Sequence, residues 1–108
     1  MTDVLAVWAS GGTPDRLAVK AAVKESLAEL VHRAPGRSVE VRVPPYAAVQ
    51  AVEGATHRRG TPPAVVECDA RTWLELAAGR LAWAEAVADG RVRASGERSD
   101  LSAYFPLV

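Results

Sequence analysis

The chain has 108 residues, with 13 basic and 13 acidic side chains and 49% apolar residues. That length makes a single domain with one modest core. A net charge of zero gives no long-range attraction to nucleic acid or anionic lipid, and no segment approaches the ~20 apolar residues of a membrane span.

Residues 1–12 read as a terminal segment separate from a domain spanning 13–108. Val4, Leu5, Val7 and Trp8 are apolar and call for a packing partner, while Gly11-Gly12 separates them from the helix start at Thr13. Val4–Ala9 is too short for the core of a signal peptide and has no basic leader. Thr13-Pro14-Asp15 is a helix start: a capping hydroxyl, a proline at the first helical position and an acid at the positive dipole end. From there Val19, Ala22, Val23, Ser26, Leu27, Leu30, Val31 and Ala34 form one stripe at helical spacing, a face that covers the domain's own sheet. Pro35-Gly36 ends the helix.

Ser38–Val43 alternates, with Val39, Val41 and Val43 on one face and Glu40 and Arg42 on the other. Pro44-Pro45 stops pairing, because neither proline can donate to a ladder. Tyr46–Val52 is a second strand. Residues 55–63 are polar and rich in proline and glycine, hence loop, with room for a short edge strand. Ala64–Cys68 is a third strand, apolar enough to be central. Glu40, Arg42, Gln50 and Glu67 fall at alternating positions that suit one outward charge ladder. Cys68 is the only cysteine, so no internal disulfide forms, and a reducing, cytoplasmic setting is expected.

Asp69 can cap a helix in which Trp73, Leu74, Leu76 and Ala77 share an apolar face and Arg71 and Glu75 stand at i, i+4 on the wet side. Gly79 suits the position after its last turn. A second short helix, about Leu81 to Asp89, stops at Gly90. Val92 and Ala94 alternate with Arg91, Arg93 and Ser95 as a fourth strand, which Gly96 ends. Ser99 or Asp100 starts a last helical turn, closed by Pro106. Three consecutive strands followed by helices indicate α+β, a mixed sheet of about four to five strands with helices on one face.

This order resembles the sterol carrier protein family, and more narrowly its bacterial single-domain branch. The stretches that carry the resemblance are VEVRVPP (Val39–Pro45), AVQ (Ala48–Gln50), His57 with Arg59–Pro63, VVE-x-D (Val65–Asp69) and TWLxLaxG (Thr72–Gly79). It covers roughly Thr13 to Val108. The resemblance implies an apolar tunnel between helices and sheet that holds a lipid or fatty-acyl-type molecule without covalent chemistry. By the family's layout its walls would include Trp73, Leu76, Leu81, Trp83, Val87, Leu101, Tyr104 and Phe105. Trp and Tyr suit an amphiphile, having a flat apolar face and one hydrogen-bonding tip.

Each of those residues also reads as ordinary core, which leaves a second function open. It is a protein-interaction or accessory module with a collapsed cavity, with a homodimer as one form. Arg58-Arg59 beside Gly60 suits either a solvated loop or an anionic headgroup. Enzymatic chemistry stands third. Cys68, His57, Glu67 and Asp69 have no spacing that demands a catalytic group, and the histidines and cysteine lack zinc-ligand spacing. No cofactor, metal, nucleic-acid partner or stable membrane insertion is implied.

Overall fold

The computed structural model describes residues 1–54, 64–96 and 99–108. Among these described residues nine elements run in the order α1 (Thr2–Ala9), α2 (Arg16–Arg33), β1 (Val39–Val43), β2 (Ala47–Ala51), β3 (Ala64–Cys68), α3 (Ala70–Ala77), α4 (Trp83–Ala88), β4 (Val92–Ser95) and a 3-10 turn, Ser102–Tyr104. The segment 55–63, with its expected loop, edge strand and Arg58-Arg59 headgroup site, lies outside the described residues. The fold is α+β.

The sheet has the order β2-β1-β3-β4. β1 and β3 are parallel, and the two outer pairings are antiparallel. Register places Val41 between Val49 and Val66, and Cys68 beside Val92, so one sheet face is continuous apolar surface. Val39, Val41, Val43, Ala51, Ala64, Val66, Cys68 and Val92 are all buried there. The opposite face carries the ladder that the alternation predicts. Arg42 bonds Glu40 and reaches Glu67 at 3.9 Å, Arg93 donates to Glu67 at 2.8 Å, and Arg37 donates to Gln50 at 3.0 Å. These pairs are largely exposed and each adds at most ~1 kcal/mol, so the inward apolar face sets the register.

α2 covers the inner face over β2, α3 packs on α2, α4 lies beside β4, and α1 rests on α2 and α3. The stripe on α2 is the core face: Val19, Ala22, Val23, Ser26, Leu27 and Leu30 are buried. Its start corrects the expectation of a Thr13 cap. Asp15 is the capping residue, its carboxylate accepting from the Ala18 amide at 3.2 Å, and the helix begins one residue later. Pro14 therefore precedes the cap instead of opening the helix. The terminal segment 1–12 contains a helix whose Val4 and Leu5 join the core.

The crossing from α2 to the sheet is tightly constrained. Val52, a β-branched residue, sits at φ 68°, a conformation that costs roughly 1–3 kcal/mol. Three bonds hold it there: its amide donates to the Ala34 carbonyl at 2.6 Å, and its carbonyl accepts from the Ser38 amide at 3.0 Å and the Ser38 hydroxyl at 2.6 Å. Ser38 is fully buried, so these bonds satisfy a polar group that would otherwise be orphaned.

Candidate functional site

The strongest candidate lies where α3, α4 and the C-terminal segment 99–108 converge. Asp69 starts α3 as expected, accepting from the Thr72 amide at 2.8 Å, a cap worth ~1 kcal/mol. The fixed start turns Trp73, Leu74, Leu76 and Ala77 inward, all at zero exposure. Arg71 and Glu75 stay on the wet side, 3.5 Å apart.

Past α3 the chain reverses at Gly79, φ 75°. α4 is shorter than its sequence suggests, because Ala82 at the capping position has no side-chain acceptor and only Ala86 is buried. The terminal segment then returns across this corner. Asp100 accepts from the Ser102 amide at 2.9 Å and opens a single 3-10 turn, where the sequence suggests a helical turn. Leu101 and Leu107 anchor the two ends of the segment in the core. The Leu107 amide donates to the Ala77 carbonyl at 2.8 Å, and Arg33 donates to the Pro106 and Leu107 carbonyls at 2.8 and 3.2 Å.

Between those anchors Phe105 lies against Trp73 and Trp83. Its ring meets Trp73 edge-on at 5.5 Å and 74°, and stacks on Trp83 at 5.9 Å and 22°. Trp73 is in turn fixed from beneath: its indole Nε1–H donates to the Ser26 hydroxyl at 2.8 Å, and that hydroxyl donates to the Ala22 carbonyl at 2.8 Å. Sequence reasoning misses this anchor. Its one signal there is a serine among the apolar residues of the α2 stripe.

The eight residues suggested as lining thus divide into three groups. Trp73, Leu76 and Leu101 have no accessible surface, so no water-sized space adjoins them. Leu81, Trp83, Tyr104 and Phe105 are half-buried and packed against the core. Val87 stands apart, exposed, beside a cleft that runs along β4 with Val92 and Ala94. Of the eight, only Val87 lines any of five clefts on the described surface.

Cys68 itself gives nucleophilic chemistry no support, and its suggested partner His57 lies outside the described residues. Burial pushes the Cys68 thiol up to about 12, and the neighbouring Asp69 and Glu67 carboxylates push it the same way. A thiol held that high carries almost no thiolate at neutral pH. Among the described residues no three of His, Cys, Asp and Glu are grouped to hold a metal, and no helix is long and apolar enough to cross a membrane. Residues 15–107 match the family described as bacterial SCP ortholog. No curated protein matches the chain.

Proposed function

The chain belongs to the family of bacterial SCP orthologs, and on that premise we propose that it binds a lipid or fatty-acyl-type molecule noncovalently at the corner of α3, α4 and the terminal segment. The observation that carries this reading is Phe105, a half-buried ring held between Trp73 and Trp83 by contact alone. It occupies the kind of space that a flat or branched apolar ligand would take, on a segment with only one 3-10 turn between its buried anchors. Withdrawal of that ring would expose the face of Trp83 as a wall. Affinity would come from apolar burial at ~25 cal/mol per Å², less the cost of ordering. No covalent step, cofactor or metal enters. The domain would span 13–108, with 1–12 packed upon it.

A second reading is favoured by one specific observation: the zero exposure of Trp73, Leu76 and Leu101. With that interior permanently closed, the domain would serve as an interaction module, and a homodimer is the simplest partner.

Native mass spectrometry of the purified protein, with titration of a fluorescent fatty acid in buffer, separates the two. A carrier retains an acyl or lipid species at one per chain and quenches or shifts tryptophan emission on binding the probe. Trp83→Asp should abolish uptake while far-ultraviolet circular dichroism stays unchanged. An empty protein that takes up neither fatty acid, acyl-CoA nor sterol overturns the carrier reading.

A further inference from the structure

Strand β4 is open along one side. β3 pairs with one of its edges, and among the described residues no strand pairs with the other. Half of its backbone N–H and C=O groups therefore point away from the sheet. No backbone bond from another described element reaches Val92–Ser95 along that side.

The two faces of this edge differ in kind. On the outward face, register aligns Arg42, Glu67 and Arg93 across β1, β3 and β4. Charge alternates along that row, which ends at the edge on a cation. Only Nη2 of Arg93 bonds Glu67. The side chain is 79% exposed, and among the described residues its other guanidinium nitrogens have no partner. On the inward face Val41, Val66 and Ala94 form the corresponding row. Val41 and Val66 are fully buried, whereas Ala94 is exposed. Val87 of α4, 39% exposed, lines the same cleft as Val92 and Ala94. The helix layer thus stops short of the edge and leaves an apolar shelf beside it.

We infer that β4 takes an extended segment of another protein as a further strand, with an acidic residue opposite Arg93 and apolar neighbours over Val87 and Ala94. Backbone pairing supplies the attachment, and the alternating side chains supply the selection. The acid continues the alternation of charge that Arg42, Glu67 and Arg93 begin. A second copy of this chain is disfavoured at the same edge. Antiparallel pairing of β4 with itself, centred on Val92, Arg93 or Ala94, sets Arg93 opposite or diagonal to its counterpart, a like-charge contact. The other outer strand, β2, carries no acid to offer in its place. The inference holds whether or not cargo enters the aromatic corner.

The test titrates the isotope-labelled full chain with a blocked pentapeptide, threonine-valine-glutamate-valine-threonine, and follows backbone amides by nuclear magnetic resonance. Saturable shifts should concentrate on Val92–Ser95 and leave β2 unmoved. Replacing the peptide's glutamate by lysine should weaken binding about fivefold. Arg93→Glu should invert that preference, and Val87→Ser should weaken both peptides alike. Methylating the valine and glutamate amides removes the donors that an added strand uses, and should abolish the shifts. Both replaced side chains are exposed, so the variants keep the fold, which circular dichroism verifies. Absence of saturable shifts on β4, equal binding of the two peptides, or unchanged binding by Arg93→Glu overturns the proposal. So does undiminished binding of the methylated peptide, which would reduce the contact to loose charge attraction. Concentration-dependent shifts on β4 without peptide would assign the edge to a second copy and overturn it as well. The peptide has no acyl chain and the fatty-acid titration no peptide, so this inference and the carrier reading fail independently.

Discussion

Ser26→Ala probes the tie beneath the aromatic corner. The substitution removes the acceptor of the fully buried Trp73 indole N–H, 2.8 Å away. An orphaned buried donor costs about 1–3 kcal/mol, whereas the better helix preference of alanine returns up to about 0.5 kcal/mol. The vacated space is one oxygen atom, too small for a water to replace the hydroxyl. The expected net loss is thus about 0.5–2.5 kcal/mol, centred above 1 kcal/mol, which for a domain of this size lowers Tm by roughly 2–15 °C. Urea unfolding followed by circular dichroism measures it. Trp73→Phe and the double variant complete a cycle whose coupling should exceed ~0.5 kcal/mol. A Ser26→Ala protein within ~0.5 kcal/mol of the parent, or two substitutions that simply add, would refute the reasoning.

Gly36→Ala and Gly90→Ala should separate widely in the same assay. A methyl on Gly36 overlaps the Val52 carbonyl and the Glu53 amide, which are main chain and cannot swing aside, so about 2–4 kcal/mol is expected. Gly90 has φ 82° but open space around it, so only the backbone penalty of about 1–2 kcal/mol remains. Equal costs would contradict the packing of the α2–β2 crossing. Cys68 should react with a thiol reagent at pH 8 about a thousandfold more slowly in the native than in the unfolded protein, since its pKa rises from 9.0 to about 12. The unfolded chain loses that proton first, so stability is intact below pH 9. Above it, stability falls by up to ~1.4 kcal/mol per pH unit until about pH 12. Native labelling at the unfolded rate, or stability flat over that range, would show a more open strand.

β1 and α3 were legible from the sequence because each divides an apolar face from a wet one. Val39, Val41 and Val43 against Glu40 and Arg42, or Trp73 and Leu76 against Arg71 and Glu75, leave one solution for which side faces the core. β3 was legible as a short, largely apolar run and therefore central, with Glu67 on its outward face. α1 was not, since it has no side-chain cap and commits only Val4 and Leu5 to the core. Helix starts also slipped where two acceptable caps lay close together, as Thr13 and Asp15 do. The site was legible as a set of residues but not as an arrangement. Trp73, Trp83 and Phe105 do meet, yet Val87 faces away, because α4 commits one residue to the core and its other turn points outward. Whether apolar residues enclose space or fill it depends on angles between helices, and an alanine-rich helix pair satisfies both outcomes.

The packing nevertheless constrains where an opening could form. Displacing Trp73 would break a buried hydrogen bond and empty the centre of the core, a cost comparable to the whole stability of a small domain. Displacing Phe105 would forfeit two aromatic contacts, each about 0.5–1.5 kcal/mol beyond the area they bury, while Leu101 and Leu107 stay seated. On the proposed carrier reading, a ligand space would therefore open on the Phe105–Trp83 side and leave Trp73 as its floor. On this account part of the ligand's binding energy is spent on moving the ring, so Phe105→Ala should bind a fluorescent fatty acid about tenfold more tightly than the parent, as expected when a conformational cost of ~1.4 kcal/mol is removed. Fluorescence titration measures the change, and circular dichroism checks that the fold survives. Unchanged or weaker affinity in a folded Phe105→Ala protein would mean that the ring is structural filling and that cargo, if carried, enters elsewhere.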